Sequence, residues 1–148
     1  MTQPIDIINR EIKGDFFHRF SIGDTVELKF SNCILTTQHI NFDGDSEIVD
    51  NLSKMFPYVD QSVDASDTGI ALALSSCMRL EVVSTELDSY GALSIIFTSG
   101  LTLCFPTHTK TVDWHWALQK EDCDPYLDVI IGAFENGSIK TNKANKSQ

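Results

Sequence analysis

Residues 93–105 read LSIIFTSGLTLCF, in which two runs rich in apolar and β-branched side chains flank the turn Thr98-Ser99-Gly100. Runs of this length and composition are typical of β-strands. Gly100 suits a tight turn because glycine readily adopts the positive φ that many hairpin turns require. The segment therefore predicts a β-hairpin, and the same pattern recurs elsewhere in the chain.

Two further segments have this strand–turn–strand pattern. Residues 26–37 contain the turn Ser31-Asn32, and apolar and charged side chains alternate over the first five residues. Residues 70–83 contain the turn Ser75-Ser76 between two apolar runs. Alternation with period two indicates a strand with one buried face. The sequence thus predicts three hairpins in an antiparallel sheet.

The segments outside the hairpins include one predicted helix. It begins at Asp45 or Ser46, either of which can cap it, and it ends before Pro57. Its apolar stripe, at helical spacing, consists of Ile48, Leu52, Met55 and Phe56. Residues 59–68 are polar and predict an exposed loop. Residues 5–12 fit either a strand or a short helical turn.

Three more strands are predicted. Residues 16–22 are rich in aromatic and branched side chains and precede a turn signal. Residues 111–118 alternate, which predicts that Trp114 and Trp116 lie on the same face. Residues 126–134 form the last predicted strand.

These elements predict an α+β fold, with a mainly antiparallel β-sheet of about six to eight strands built from hairpins and one principal helix packed on it. A chain of 148 residues with 42% hydrophobic side chains fits one globular domain, here residues 1–135. Residues 136–148 are polar and basic, and they predict a disordered tail.

The chain is strongly acidic, with 21 Asp and Glu against 11 Lys and Arg and a formal net charge of −10. Over residues 1–135 the formal charge is −13, because three lysines and no acid lie beyond them. Such a charge opposes binding to nucleic acid or to an anionic membrane surface. It favours a partner of opposite sign, since a single-sign field accelerates encounter.

Short sequence signals predict the cellular compartment of the protein and the redox state of its cysteines. No apolar run approaches the ~18 residues of a membrane-spanning helix, and no apolar segment beside a basic flank begins the chain. Both observations predict a cytoplasmic protein. The four cysteines are widely spaced, which predicts reduced and mostly buried thiols rather than a disulfide framework.

Searches for catalytic and metal-binding patterns predict that the chain is not an enzyme and binds no cofactor or metal. Nucleophile motifs, phosphate-binding loops and dinucleotide fingerprints are missing from the sequence. His108 and His115 flank a predicted strand start, so a small cytosolic enzyme using either of them is an alternative. With Cys104 and Cys123 they supply zinc-type ligands, but the spacings match no common zinc site. Residues 41–52 lack the glycine and glutamate of a calcium loop.

The acids concentrate in two segments, the first acidic cluster (residues 43–67) and the second acidic cluster (residues 121–128). Tyr58 and Tyr126 lie within them and are of the type that anchors protein interfaces. If the fold brings the clusters together, they form one electronegative face. The predicted partner-binding residues are Asp43, Asp45, Glu47, Asp50, Tyr58, Asp60, Asp64, Asp67, Glu121, Asp122, Asp124 and Tyr126.

The acidity, the hairpins and the late tryptophan-bearing strand together resemble bacterial immunity proteins of contact-dependent growth inhibition and related polymorphic toxin systems. Residues 96–103, IFTSGLTL, are similar to an apolar-Phe-x-(Asp/Ser)-Gly-x-x-Leu hairpin of several such families. The resemblance covers residues 22–118. It implies a protein that binds a cognate basic toxin domain, often a nuclease, and occludes its active site. The expected state is a monomer or weak dimer, and a self-assembling structural module is a further alternative.

Overall fold

Ten strands and two helices of defined length build an α+β fold in the part of the chain that the structure describes. The structure, a computed structural model, describes residues 2–42, 50–51, 54–55, 65–107, 114–120 and 129–141. The helices are α1 (Pro4–Ile12) and α2 (Ala65–Cys77). The strands are β1 (Arg19–Ile22), β2 (Val26–Lys29), β3 (Ile34–Thr37), β4 (Asn41–Phe42), β5 (Val82–Leu87), β6 (Leu93–Phe97), β7 (Thr102–Phe105), β8 (Trp114–Gln119), β9 (Val129–Phe134) and β10 (Ile139–Thr141). The predicted α+β class is confirmed.

The strands form two sheets, where the sequence predicts one. The large sheet has the order β1-β2-β3-β8-β9-β10, and the small sheet has the order β4-β7-β6-β5. All of the described pairings are antiparallel. The chain leaves the large sheet after β3, forms the small sheet, and returns at β8, where Gln119 pairs with Ile34.

Two of the three predicted hairpins are confirmed. The segment at residues 26–37 forms β2 and β3, and residues 93–105 form β6 and β7. Gly100 adopts φ +87° in the turn between β6 and β7, as its position predicts. The predicted strand at residues 16–22 is shorter in the structure, where β1 begins at Arg19.

The predicted hairpin at residues 70–83 is wrong, because its first strand and its turn lie inside a helix and only residues 82–83 of its second strand belong to β5. Residues 70–74 lie inside α2, which also includes residues 65–68 of the predicted loop. The run IALAL contains alanine and leucine, which have the highest helix propensities, and its length does not separate a strand from a buried helix. The buried positions of α2 are Gly69, Ala73, Leu74 and Cys77, a helical spacing. Residues 59–64 lie outside the described residues.

The remaining helical predictions have mixed outcomes. Residues 5–12 belong to α1, which begins at Pro4, and the backbone N–H of Gln3 donates to the Asp6 carboxylate at 3.1 Å. Within the predicted helix before Pro57, the described residues 50–51 and 54–55 are helical, and the other positions lie outside the described residues. One principal helix therefore describes the fold only roughly, because α1 and α2 both contribute to the core.

The main core lies between the two sheets and includes residues of both helices. A connecting segment at residues 14–18 ties the sheets together. The N–H of His18 donates to the Lys29 carbonyl in β2 at 3.0 Å, and the N–H of Val82 in β5 donates to the Asp15 carbonyl at 2.8 Å. Phe17 points from this segment into the core and is fully buried.

The predicted common face of Trp114 and Trp116 is wrong. Trp114 pairs with Phe134 and Trp116 pairs with Ala133, so β8 advances two residues where β9 advances one. This bulge at His115 puts the two tryptophans on opposite faces of the sheet. Trp116 belongs to the main core, whereas Trp114 joins a separate cluster with Phe134. The strand predicted at residues 126–134 begins at Val129, and residues 126–128 lie outside the described residues.

The disordered tail predicted for residues 136–148 is wrong over its described part. Residues Glu135–Gly137 form a 3₁₀ turn, and β10 (Ile139–Thr141) pairs with β9. Ile139 packs against the main core, and the amine of Lys140 lies 5.0 Å from the centre of the Phe134 ring. These contacts order a segment whose composition alone suggests disorder. Residues 142–148 lie outside the described residues.

Candidate functional site

Two of the predicted partner-binding residues fall within the described structure. Asp50 and Asp67 are both helical and exposed, and Asp67 lies in the first turn of α2. The other ten lie outside the described residues: Asp43, Asp45, Glu47, Tyr58, Asp60, Asp64, Glu121, Asp122, Asp124 and Tyr126. Whether the two acidic clusters meet on one face stays a prediction.

The charge is divided unevenly along the chain. Eleven acidic and eight basic residues lie in the described part, which is therefore close to neutral. The remaining positions hold ten acids and three bases, including most of both acidic clusters. Most of the negative charge thus belongs to segments that connect the elements of the two sheets.

The position of His115 argues against its use by an enzyme, the alternative function that involves His108 or His115. His115 is 3% exposed, at the bulge in β8, and its carbonyl accepts hydrogen bonds from the Gln38 N–H at 2.9 Å and the Thr37 hydroxyl at 3.3 Å. A general base must reach its substrate, which a buried imidazole does not do in this conformation. His108 lies outside the described residues. Among the described residues, no three metal-binding side chains form a group.

Two of the four thiols are buried, and their raised pKa values make them poor nucleophiles near neutral pH. Burial raises the pKa of Cys33 to about 12, with the negative charges of Glu11 and Asp15 adding to the effect. Burial also raises the pKa of Cys77 to about 12. The prediction of reduced, buried thiols is confirmed at these two positions. Cys104 is a free thiol with partial exposure, and Cys123 lies outside the described residues.

Alkylation should distinguish these thiols. Because the thiolate is the nucleophile, we expect Cys33 and Cys77 to react with iodoacetamide at pH 8 at least about a hundredfold more slowly than Cys104. Site-resolved mass spectrometry of the peptides measures the rates, and the same reaction in urea, where the three rates should converge, is the control. Equal rates in the native protein would contradict the burial of Cys33 and Cys77.

The raised pKa values of Cys33 and Cys77 predict that the free energy of unfolding falls at alkaline pH. A thiol with a raised pKa holds its proton more tightly in the folded state than in the unfolded state, where its pKa is about 8.5. The resulting contribution to the free energy of unfolding is complete below that value and is lost as the pH rises towards 12.

A shallow depression of about 260 Å³ lies on the outer face of the large sheet. It is lined by Arg19, Phe20, Ser21, Glu27, Lys29 and Ile34. The Thr36 hydroxyl and the Gln119 amide oxygen are buried on the same face, next to Glu27 and Ile34 in the strand register. Within the described part of the chain, neither atom has a hydrogen-bond partner. The depression is smaller than most ligand pockets, and its lining mixes both signs of charge.

A more organised feature lies where the two sheets meet, and we name it the inter-sheet joint. It consists of residues 88–92, between β5 and β6, and residues 135–138, between β9 and β10. Gly91 and Gly137 have φ of +85° and +75°, and their backbones touch closely enough that a Cβ on Gly91 would lie 2.5 Å from the Gly137 carbonyl oxygen. Tyr90, beside this contact, is 60% exposed.

Side chains fix the joint from several directions. The Asp88 carboxylate accepts the N–H groups of Tyr90 at 2.8 Å and Ala92 at 2.9 Å. The Thr107 hydroxyl donates to the Tyr90 carbonyl at 2.7 Å, and the buried indole N–H of Trp116 donates to a neighbouring carbonyl in the joint at 2.8 Å. The sequence Asp-Ser-Tyr-Gly at residues 88–91 is a turn signal, but it does not predict a site. Its packing partner, Gly137, is distant in the chain and gives no local signal.

Comparisons of the chain with protein-family models, with curated proteins and with solved structures find no match. Within the described segments, neither helix has the length and apolar character needed to cross a bilayer.

Proposed function

We propose that this protein is a non-enzymatic inhibitor that binds a basic partner protein, as an immunity protein binds its cognate toxin domain. One observation carries the proposal, which is the excess of 21 acidic over 11 basic residues in a chain of 148. A net charge magnitude of about 2–8 is ample for the solubility of a small domain. The surplus charge is better explained by recognition of a cationic surface than by solubility.

The distribution of charge supports this reading. The described body is nearly neutral, so the field of the protein comes mainly from the two acidic clusters. Asp50 and Asp67, the described members of the first cluster, are exposed on helical backbone. A toxin that cleaves RNA or DNA needs lysines and arginines at its active site, and these groups are the complement of such a surface. Occupying them would block substrate binding without any reaction.

Charge neutralisation provides the main test, with a purified candidate basic toxin domain as the probe. We expect the triple change Glu47→Gln, Asp50→Asn, Asp60→Asn to slow association about tenfold at low ionic strength, because electrostatic steering acts on the association rate. The triple change Glu121→Gln, Asp122→Asn, Asp124→Asn tests the second cluster in the same way. Surface plasmon resonance at several salt concentrations measures both, and the differences should shrink as salt rises.

A matched control neutralises the same number of exposed acids on the described body, at Asp24, Glu27 and Glu81. This variant should associate within about threefold of the unmodified protein, since scattered surface charges far from an interface contribute little. An equal loss of association rate in the control and in the cluster variants would mean that the clusters act only through the total charge of the protein. If the unmodified protein neither binds the toxin domain nor inhibits its activity, the proposed function is wrong.

A further inference from the structure

We propose that the inter-sheet joint is the rigid anchor by which the protein holds its cationic partner, with Tyr90 as the central contact. This inference rests on the proposed function and assigns a contact site within it. The site uses residues outside the two acidic clusters, because all of its residues belong to the described body.

Preorganisation is the first argument. The closed turn is held by the Asp88 carboxylate, which accepts two backbone N–H groups, and by the hydrogen bond from the Asp88 N–H to the Ala92 carbonyl at 3.0 Å. The carbonyl of Tyr90 is bound by Thr107, and the carbonyl of Gly91 by the buried Trp116 indole. The backbone that carries Tyr90 is thus fixed before binding, and little ordering entropy is lost on association.

Exposure of the tyrosine ring is the second argument. A side chain that served only to fold the turn would pack inward, and a small polar residue would satisfy the turn equally well. Tyr90 is instead a large aromatic residue that is 60% exposed, so it does not pack into the core. Tyrosine is enriched in protein interfaces because it covers a large area with only two flexible side-chain torsions. A fixed backbone with a projecting ring is the arrangement of an interface anchor.

Charge identifies the kind of partner. Asp88 and Glu135, one in each half of the joint, are both exposed. A lysine or arginine of a partner could stack on the Tyr90 ring, and the negative charge of the two carboxylates favours a cation at the joint. The joint therefore suits a partner surface with a protruding basic side chain, which agrees with the basic toxin domain of the proposed function.

Alanine substitution at Tyr90 tests the inference, with a catalytically inactive form of the basic toxin domain as the probe. We expect Tyr90→Ala to weaken binding about thirtyfold or more, mainly through faster dissociation, because central aromatic anchors dominate interface energetics. Tyr90→Phe keeps the ring and should weaken binding about threefold. An unchanged thermal melting profile would show that Tyr90→Ala still folds.

Other variants separate the possible outcomes. Val83→Ala removes another exposed apolar side chain, on β5 outside the joint, and should leave affinity unchanged. The two other tyrosines of the chain, Tyr58 and Tyr126, are changed to alanine in parallel. If Tyr90→Ala binds within threefold of the unmodified protein while the loss falls on either of these, the anchor is wrong but the proposed function stands. If the unmodified protein does not bind the toxin domain, both fail.

Chemical protection gives a second measurement. Tetranitromethane should nitrate Tyr90 in the free protein, since its ring is exposed, and the toxin domain should suppress that reaction in the complex. Nitration of Tyr90 at the same rate in the complex as in the free protein would place the ring outside the interface and overturn the inference.

Discussion

The substitution Gly137→Ala is expected to lower the free energy of unfolding by about 3 kcal/mol or more, among the largest single-residue effects in the chain. Gly137 has φ +75°, and an added Cβ would overlap the carbonyl oxygen of Tyr90. An alanine in the left-handed region costs about 1–2 kcal/mol by itself. The rest of the loss comes from the strain of moving the two backbones apart. Hydrogen bonds from Thr107 and Trp116 to the carbonyls of Tyr90 and Gly91 resist that movement.

Gly100→Ala is the matched control for this effect. Gly100 also has a left-handed backbone, with φ +87°, but an added Cβ there meets nothing within 4 Å. It should therefore cost only the conformational part, about 1–2 kcal/mol. Urea denaturation of both variants gives the comparison directly. If Gly137→Ala costs no more than Gly100→Ala, the close approach of the two turns does not exist in solution.

The confirmed hairpins were predictable because their determinants are local. In residues 93–105 the turn glycine, the β-branched runs and the alternation all lie within one short window. Neighbouring strands then pair in the register that the turn allows, so the sequence contains the information needed. The same reasoning extends to residues 26–37, where apolar and charged side chains alternate along β2.

The errors share a different cause, which is dependence on residues far along the chain. The run at residues 70–74 satisfies both a strand and a buried helix, and packing of α2 against the core decides between them. The bulge at His115 is set by pairing with β9, and no local signal in β8 reveals it. Likewise β10 is ordered by β9 and by the contact of Lys140 with Phe134, although its composition suggests disorder.

The two acidic clusters and the inter-sheet joint likewise differ in how far the local sequence reveals them. Composition located the two acidic clusters, and the structure adds the exposure of Asp50 and Asp67. The inter-sheet joint was missed because half of it comes from each sheet. Its local half, with Asp88 and Gly91, is a recognisable turn, but only the approach of Gly137 distinguishes it from an ordinary hairpin loop.

The neighbouring phenylalanines Phe16 and Phe17 provide the second large expected effect. Phe17 is fully buried, and its ring makes edge contacts with three neighbouring rings, those of Phe20, Phe30 and Phe97, at centroid distances of 6.4, 6.0 and 5.9 Å. Phe17→Ala should lower the free energy of unfolding by about 3–5 kcal/mol, since it leaves a cavity and removes these ring contacts. Denaturant unfolding followed by tryptophan fluorescence measures the change.

Phe16→Ala removes the same chemical group one residue earlier and isolates the effect of burial. Phe16 is 42% exposed, so its substitution should cost about 1 kcal/mol or less. The difference between the two variants matters for the fold as a whole, because residues 14–18 bond to β2 of the large sheet and to β5 of the small sheet. A ring inserted from this segment links the two sheets through the core. Equal costs for the two substitutions would mean that the sheets are held together elsewhere and that Phe17 does not fill the space between them.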